Sequence, residues 1–265
     1  MGLFQRLVSF HATFFVLLLL LSLASCKDER WRFLGSSAEE EMVCRNLSLA
    51  DSLMEERPDS AMTILRHDSA AVVNCSENTR MTYAMLKIQA DDKLYITHKS
   101  DSVIRMVVEY FAEYGDSRQQ TQAWYLLGRV SYDLHHIYSA MSAWKKVLAI
   151  DAEDAIIYRY KARTVSWLAA IYEKEKIYEK VLECSQQTYK YAVKSDIPKN
   201  LKACVLRDIG RSYSYLRNNK KAITYYIQAD KLAKQIPDEK LSRIIEEELA
   251  AIYIEEGMLQ EAGDI

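Results

Sequence analysis

The sequence predicts an all-α fold built from repeated helical hairpins, and three observations support this prediction. The 265 residues include 7 Gly and 3 Pro, too few turn-forming residues for a fold with many strands. Ala, Leu, Lys and Glu make up much of the chain, a composition typical of helices. Small or aliphatic residues also recur every 36 to 43 residues, a period that indicates an array of stacked units. The recurring positions are 61, 104, 140, 181, 222 and 262.

Residues 1–25 have the pattern of a secretory signal peptide. Arg6 and the amino terminus give a short positive start, and an apolar run from Phe14 to Leu21 follows. This run is far shorter than the roughly 20 residues that a membrane-spanning helix needs. Small residues then close the segment, as they do before a cleavage site. An uncleaved anchor helix is the alternative interpretation.

The end of this segment, Leu23-Ala24-Ser25-Cys26, resembles the lipobox of bacterial lipoproteins. The resemblance implies cleavage before Cys26 and acylation of its thiol, including palmitate, which would tether the mature chain to a membrane. A chance cysteine behind an ordinary signal peptide is the alternative. Lys27-Asp28-Glu29 resembles the export tag of some Gram-negative lipoproteins, which favours the surface of the outer membrane over its periplasmic face. Residues 26–41 are predicted to form a short tether.

The charge balance argues against a nucleic-acid-binding protein, and the other cysteines argue against a metal site. The chain has 35 basic and 37 acidic residues, so it lacks the basic excess expected of a nucleic-acid-binding protein. Cys44, Cys75, Cys184 and Cys204 match no metal-binding spacing, and packed single thiols are favoured over two disulfides.

The segment 122–154 resembles the tetratricopeptide repeat, a pair of antiparallel helices. Gly128 and Ala140 are small, which lets the two helices of a repeat approach closely. Trp124, Leu127 and Trp144 are predicted to fill the wedge between them. The residues at or beside the family's signature spacings are Trp124, Leu127, Gly128, Tyr132, Ala140, Trp144 and Leu148.

The same pattern returns in residues 165–192, in residues 206–232 and from Leu249 onward. In the first of these, Ser185 stands where a large residue is usual. Two weaker repeats precede them, with Pro58-Asp59-Ser60-Ala61 and Leu65 in one, and Ile104, Val108 and Phe111 in the other. The resemblance implies a right-handed α-solenoid of about five to six repeats over residues 42–265, with an incomplete last repeat and a concave groove.

No sequence feature predicts catalysis. The chain has no Gly-rich phosphate loop, no G-x-S-x-G and no H-E-x-x-H. His135 and His136 are predicted to lie on a turn, where adjacent side chains point in different directions. We therefore expect neither an enzyme nor a bound cofactor or metal.

The groove is the expected binding surface, because the family binds ligands mainly with the first helix of each repeat. Carrying its ligand positions over places four arginines together with tyrosines. Arginine binds carboxylates through two parallel hydrogen bonds, and tyrosine offers a large contact area with a polar tip. Alternatively, these arginines pair with Glu173, Asp208 or Asp133 and only keep the groove soluble. The candidate groove residues are Tyr125, Arg129, Tyr132, Asp133, Arg163, Arg207, Arg211 and Tyr215, with Ser166, Ala170, Glu173, Lys174, Cys204 and Ser214 at equivalent positions.

These observations predict a non-catalytic lipoprotein that binds a protein or peptide at the bacterial outer membrane. The ligand is expected to include forms with an acidic or C-terminal carboxylate segment. Two alternatives remain open at this point. In the first alternative, the chain is the periplasmic sensor part of a truncated signalling protein. In the second, it is an accessory component of a surface nutrient-uptake system. The second would require exposed tryptophans, and Trp124 and Trp144 are predicted to lie in the core.

Overall fold

The computed structural model describes residues 38–195, 197–237 and 239–265, and every regular element in these ranges is a helix. The predicted all-α class is therefore confirmed. No helix in the described ranges has the length and apolarity needed to cross a membrane. Cys26 and most of the predicted tether lie outside the described residues. The elements are α1 (Ala38–Leu53), α2 (Pro58–His67), a 3-10 helix (Ala71–Asn74), α3 (Glu77–Lys93), α4 (Ser102–Tyr114), α5 (Ser117–Asp133), α6 (Ile137–Ala149), α7 (Ala155–Lys174), α8 (Tyr178–Lys194), α9 (Lys199–Tyr215), α10 (Asn219–Ala233), α11 (Lys240–Glu255) and α12 (Leu259–Gly263).

The chain forms two compact units, and the first extends to Leu94. Its core lies between α1, α2 and α3, and Ala61 and Leu65, both predicted from the repeat, are fully buried there. Helix α1 begins at Ala38, four residues before the predicted start of the repeats at residue 42. Glu40 accepts hydrogen bonds from the Ser76 amide at 2.9 Å and the Thr79 hydroxyl at 2.8 Å. The acidic run assigned to the tether therefore belongs to the first turn of α1.

The second unit, Tyr95–Ile265, contains the hairpins α5–α6, α7–α8, α9–α10 and α11–α12. Their first helices begin with side-chain caps where the sequence provides them. Asp116 forms a reciprocal capping box with Gln119, and Asp154 accepts from the amides of Ile156 and Ile157. Such caps satisfy amide groups that have no partner within the helix.

The turn inside each of these hairpins has the same conformation. The second residue after the first helix adopts a positive φ, which ends the helix and reverses the chain. Because three of these four residues are not glycine, each of the three carries a backbone cost that glycine avoids. The same conformation follows α3 at Tyr95. The residues and φ angles are Tyr95 (57°), His135 (61°), Lys176 (58°), Arg217 (57°) and Gly257 (74°).

Close approach of the two helices in a hairpin depends on glycine, as the sequence predicted. A Cβ atom at Gly128 would lie 2.1 Å from Nε1 of Trp144, and Trp144 is fully buried. A Cβ atom at Gly210 would lie 3.2 Å from the ring of Tyr226. Trp124, predicted to fill the same wedge, is only partly buried. Leu127, the third residue predicted for the wedge, is buried, so the structure buries Leu127 from the first helix and Trp144 from the second.

Candidate functional site

A cavity of about 190 Å³ opens between α7, α8 and α9 in the second unit. It combines a hydroxyl-lined floor, small apolar walls and a charged mouth, which makes it the candidate functional site. Helices α7 and α9 are the first helices of successive hairpins, and the sequence predicts ligand positions on both of them. Its lining residues are Ser166, Ala169, Ala170, Glu173, Val181, Ser185, Thr188, Val205, Arg207, Asp208, Arg211, Ser212 and Tyr215.

Hydroxyl groups form the floor of this α7–α9 cavity. Ser185, Thr188 and Ser212 are all buried. The Ser185 and Ser212 hydroxyl oxygens lie 3.1 Å apart, and Ser212 donates to the Asp208 carbonyl oxygen at 2.7 Å. Ser185 therefore donates to Ser212 and keeps its own oxygen as an acceptor. The Thr188 hydroxyl lies 3.4 Å from that of Ser166. These bonds satisfy polar groups that would be costly to bury alone.

The mouth of the cavity carries two arginines and two carboxylates. Arg207 donates to Asp208 from Nε at 3.2 Å and from Nη2 at 2.8 Å. Arg211 forms an ion pair with Glu248 on α11, and its Nη1 lies 4.0 Å from Asp208. Because the opposite charges of Arg207, Arg211, Asp208 and Glu173 balance, the lining of the mouth has no net charge.

The pKa values of these groups follow from burial and from their partners. Removal of solvent raises the pKa of Asp208, although Arg207 opposes this shift and nearly half of the side chain, 46 %, remains accessible. Burial is the largest influence on Arg211 and disfavours its charged form, but the hydrogen bond to Glu248 and the negative charges of Glu248 and Asp208 together outweigh burial and raise the pKa of Arg211.

Tyr215 joins the hairpins α7–α8 and α9–α10 at the same mouth. Its hydroxyl donates to Glu173 on α7 at 2.5 Å. Burial and this hydrogen bond raise the pKa of Tyr215 to about 12. The phenol therefore stays protonated and acts as a donor at neutral pH, which orients the Glu173 carboxylate.

The predicted groove residues on α5 form a separate, packed cluster. Arg129 stacks its guanidinium 3.7 Å from the centre of the Trp167 ring and lies 3.6 Å from Asp133. Tyr132 also packs on Trp167, with ring centres 5.2 Å apart. Tyr125 is buried and packs on the ring of Tyr160, with ring centres 5.1 Å apart. Because Arg129 is only 9 % exposed, its guanidinium interacts mainly with groups of the protein such as Trp167 and Asp133.

The structure thus divides the predicted set of residues. Arg207, Arg211 and Tyr215 meet at the α7–α9 cavity, together with Ser166, Ala170 and Glu173. Arg163 instead lies 5.9 Å from the Tyr160 ring and does not line the cavity. The ion pairs of Arg129, Arg207 and Arg211 match the alternative in which groove arginines pair with acids of the same domain.

The cavity floor is not among the features predicted from the sequence. The sequence carries one signal of it in Ser185, a small residue at a position that is usually large. Ser212 and Thr188 reach the cavity because α8 packs against α7 and α9. The ligand positions of the family lie on the first helix of each repeat, so they do not predict this packing.

The lining of the cavity contains hydroxyl and carboxylate groups but no histidine or cysteine. Within the described part of the chain, no group of three or more His, Cys, Asp or Glu residues is arranged to hold a metal ion. Burial raises the pKa of the Cys184 thiol to about 11 and also raises that of Cys204, so both thiols are protonated at neutral pH. The arrangement suits hydrogen bonding and ion pairing with a ligand.

Comparison with known proteins identifies the fold. No protein-family model matches the chain, and no curated protein matches it in sequence. Among solved structures, the apo form of RapI matches with a TM-score of 0.63 at 15% identity, over 83% of this chain and 73% of that chain. BtubC from P. vanneervenii matches with a TM-score of 0.58 at 18% identity, over 86% of this chain and 88% of that chain.

A third match is a signal transduction ATPase from Pyrococcus horikoshii with a tetratricopeptide repeat sensor. Its TM-score is 0.61 at 19% identity, over 84% of this chain and 35% of that chain. The chain therefore spans about a third of the length of that protein. At these identities the likeness establishes the fold alone. The chain has a tetratricopeptide-like repeat fold.

Proposed function

We propose that this chain is a non-catalytic binding protein that holds a protein or peptide on the face formed by α7 and α9. The α7–α9 cavity is the observation that carries this proposal. It joins the first helices of two successive hairpins and presents both donors and acceptors at its mouth. A peptide main chain offers the same mixture of N–H donors and carbonyl acceptors. An extended segment is therefore the ligand that this mouth fits.

An acidic or C-terminal carboxylate segment is the form of ligand that would use the arginines. Its carboxylate would share Arg207 with Asp208, because a guanidinium has five N–H donors and Asp208 accepts from two of its nitrogens. The pair with Asp208 is partly exposed, and ion pairs of that kind contribute about 0–1 kcal/mol. Loosening it to admit a ligand carboxylate is therefore inexpensive.

Membrane tethering through Cys26 completes the proposal. The lipobox supports acylation of this thiol, and the following Lys27-Asp28-Glu29 supports transport to the surface of the outer membrane. Growth of a bacterial host with an alkyne-labelled palmitate tests the first step. We expect the label on the wild-type chain and none on Cys26→Ser. Label retained by Cys26→Ser would exclude this anchor.

The binding proposal is tested by selecting random displayed peptides on the purified full chain. We expect enriched peptides whose affinity falls about tenfold or more with Arg207→Ala, the loss of one charge-assisted contact. Arg217→Ala is the matched control, because Arg217 lies outside the cavity and its side chain is 81% exposed. Failure to enrich any peptide would exclude a peptide-binding function. Equal losses in both variants would move the site away from the cavity.

A further inference from the structure

The first five repeats share an equivalent position, four residues after the recurring small or aliphatic residue of the second helix. This position is aliphatic or aromatic in four hairpins and a serine in one. All five side chains are buried. The residues in chain order are Leu65, Val108, Trp144, Ser185 and Tyr226.

The two aromatic residues at this position make the same kind of contact. Trp144 packs on Gly128 and stacks with Trp167 on the first helix of the following hairpin, with ring centres 6.2 Å apart. Tyr226 packs on Gly210, and its hydroxyl hydrogen-bonds to Glu248 on the first helix of the following hairpin. Each aromatic ring therefore fills its own hairpin and reaches across to the next one.

The hairpin α7–α8 has the same framework without the ring. Ala169 takes the place of the glycine and Ser185 the place of the aromatic residue, and the α7–α9 cavity lies between them. The helix that follows the hairpin α7–α8 is α9, and its residue equivalent to Glu248 is Asp208. Asp208 directly precedes Ile209-Gly210, as Glu248 directly precedes Leu249-Ala250. Asp208 lines the cavity.

We propose that the α7–α9 cavity receives a tyrosine side chain of a bound partner, with its ring beside Ser185 and its hydroxyl donating to Asp208. The inference rests on the proposed function, because the tyrosine comes from the bound protein or peptide. Val181 and Val205 supply apolar contact for the ring. A cavity of about 150 Å³ is known to hold a benzene ring, so about 190 Å³ admits a phenol.

The charge balance of the mouth favours an uncharged occupant. Arg207 and Arg211 are already engaged by Asp208 and Glu248. A charged side chain that entered the cavity itself would lose its hydration, whereas a ligand carboxylate that shares Arg207 stays at the mouth. A phenol hydroxyl can instead add a hydrogen bond to Asp208, whose Oδ1 is the oxygen that Arg207 contacts.

The occupant is tested with p-cresol, the analogue of the tyrosine side chain, added to the purified full chain and followed by NMR. We expect saturable shifts of the Val181 and Val205 methyl resonances. Toluene, which lacks the hydroxyl, should bind about tenfold more weakly, as expected for one hydrogen bond to a charged acceptor. Ser185→Tyr should abolish p-cresol binding by filling the cavity. Asp208→Asn, which keeps the cavity open but replaces the charged acceptor by a neutral one, should weaken p-cresol binding and narrow the difference from toluene.

The enriched peptides supply the second arm of the test. We expect them to share a tyrosine whose replacement by alanine weakens binding to the wild-type chain but not to Ser185→Tyr. Enriched peptides without a shared tyrosine, or p-cresol shifts confined to residues outside the cavity, would overturn this inference and leave the peptide-binding function intact. Failure to enrich any peptide would overturn both.

Discussion

Replacement of Gly128 by alanine should destabilise the protein strongly, because α5 and α6 touch at this residue. The new Cβ would lie 2.1, 2.4 and 2.6 Å from three atoms of the Trp144 ring. Trp144 is fully buried, so a shift of its ring would displace the side chains packed around it. Relief of the clash therefore requires the two helices to separate or the ring to leave its position.

The size of the effect follows from three contributions. Overpacking a dense core costs about 1–3 kcal/mol, and a contact this short belongs at the upper end of that range. Displacement of the ring also breaks the hydrogen bond from Trp144 Nε1 to the Tyr125 carbonyl oxygen, 3.3 Å long, which contributes about 1 kcal/mol. Alanine restores about 1 kcal/mol through its higher helix propensity. We expect a net loss of about 3 kcal/mol in the free energy of unfolding.

Urea unfolding followed by circular dichroism measures this loss. Two other glycines give a graded control series. Gly210→Ala brings its Cβ to 3.2 Å from the Tyr226 ring and should cost less, whereas Gly263→Ala meets no atom within 4 Å and should be neutral or mildly stabilising. A Gly128→Ala protein as stable as the wild type would refute the close-packing argument. Equal effects at all three sites would refute it as well.

Three further outcomes are expected. Hydrogen bonds from Ser76 and Thr79 lower the pKa of Glu40, so the stability that they contribute is complete above about pH 4.5 and is lost as pH falls through the lowered pKa. When the free energy of unfolding is measured against pH in acid, Glu40→Gln should lack this pH-dependent loss. Lys176→Gly removes a left-handed non-glycine residue and should raise the unfolding free energy by up to about 1 kcal/mol, whereas Lys190→Gly within α8 should lower it by about as much. At pH 8 a thiol reagent should modify exposed Cys44 in the native protein, while Cys184, whose pKa is about 11, should react after unfolding, as mass spectrometry of quenched samples would show.

Much of the fold was predictable because the repeat period encodes the packing of one helix on another. Ala61, Ile104 and Ala140 were placed by spacing alone, and all three are buried. The start of α1 was not predictable in this way. Glu40 gains partners in Ser76 and Thr79, about 40 residues along the chain, and no local pattern reveals such a contact.

The candidate site was predictable in part for the same reason. Arg207 and Arg211 occupy ligand positions on one helix, so they share a face whatever their partners are. Arg129 occupies the position equivalent to Arg211, yet it packs on Trp167, because the neighbouring hairpin presents an aromatic ring at that point. The position of a residue within the repeat predicts the direction in which its side chain points. The surroundings of that side chain depend on the residues of the neighbouring repeat.

The central claim is that a ligand is held on the face formed by α7 and α9, and site-specific photocrosslinking tests it most directly. A benzophenone amino acid would replace Ala170, which is exposed and lines the cavity, or Thr224, which is exposed on α10 outside it. After irradiation with an enriched peptide, we expect a crosslink from position 170 and none from position 224. A crosslink from position 224 alone would place the ligand elsewhere on the protein and contradict the claim.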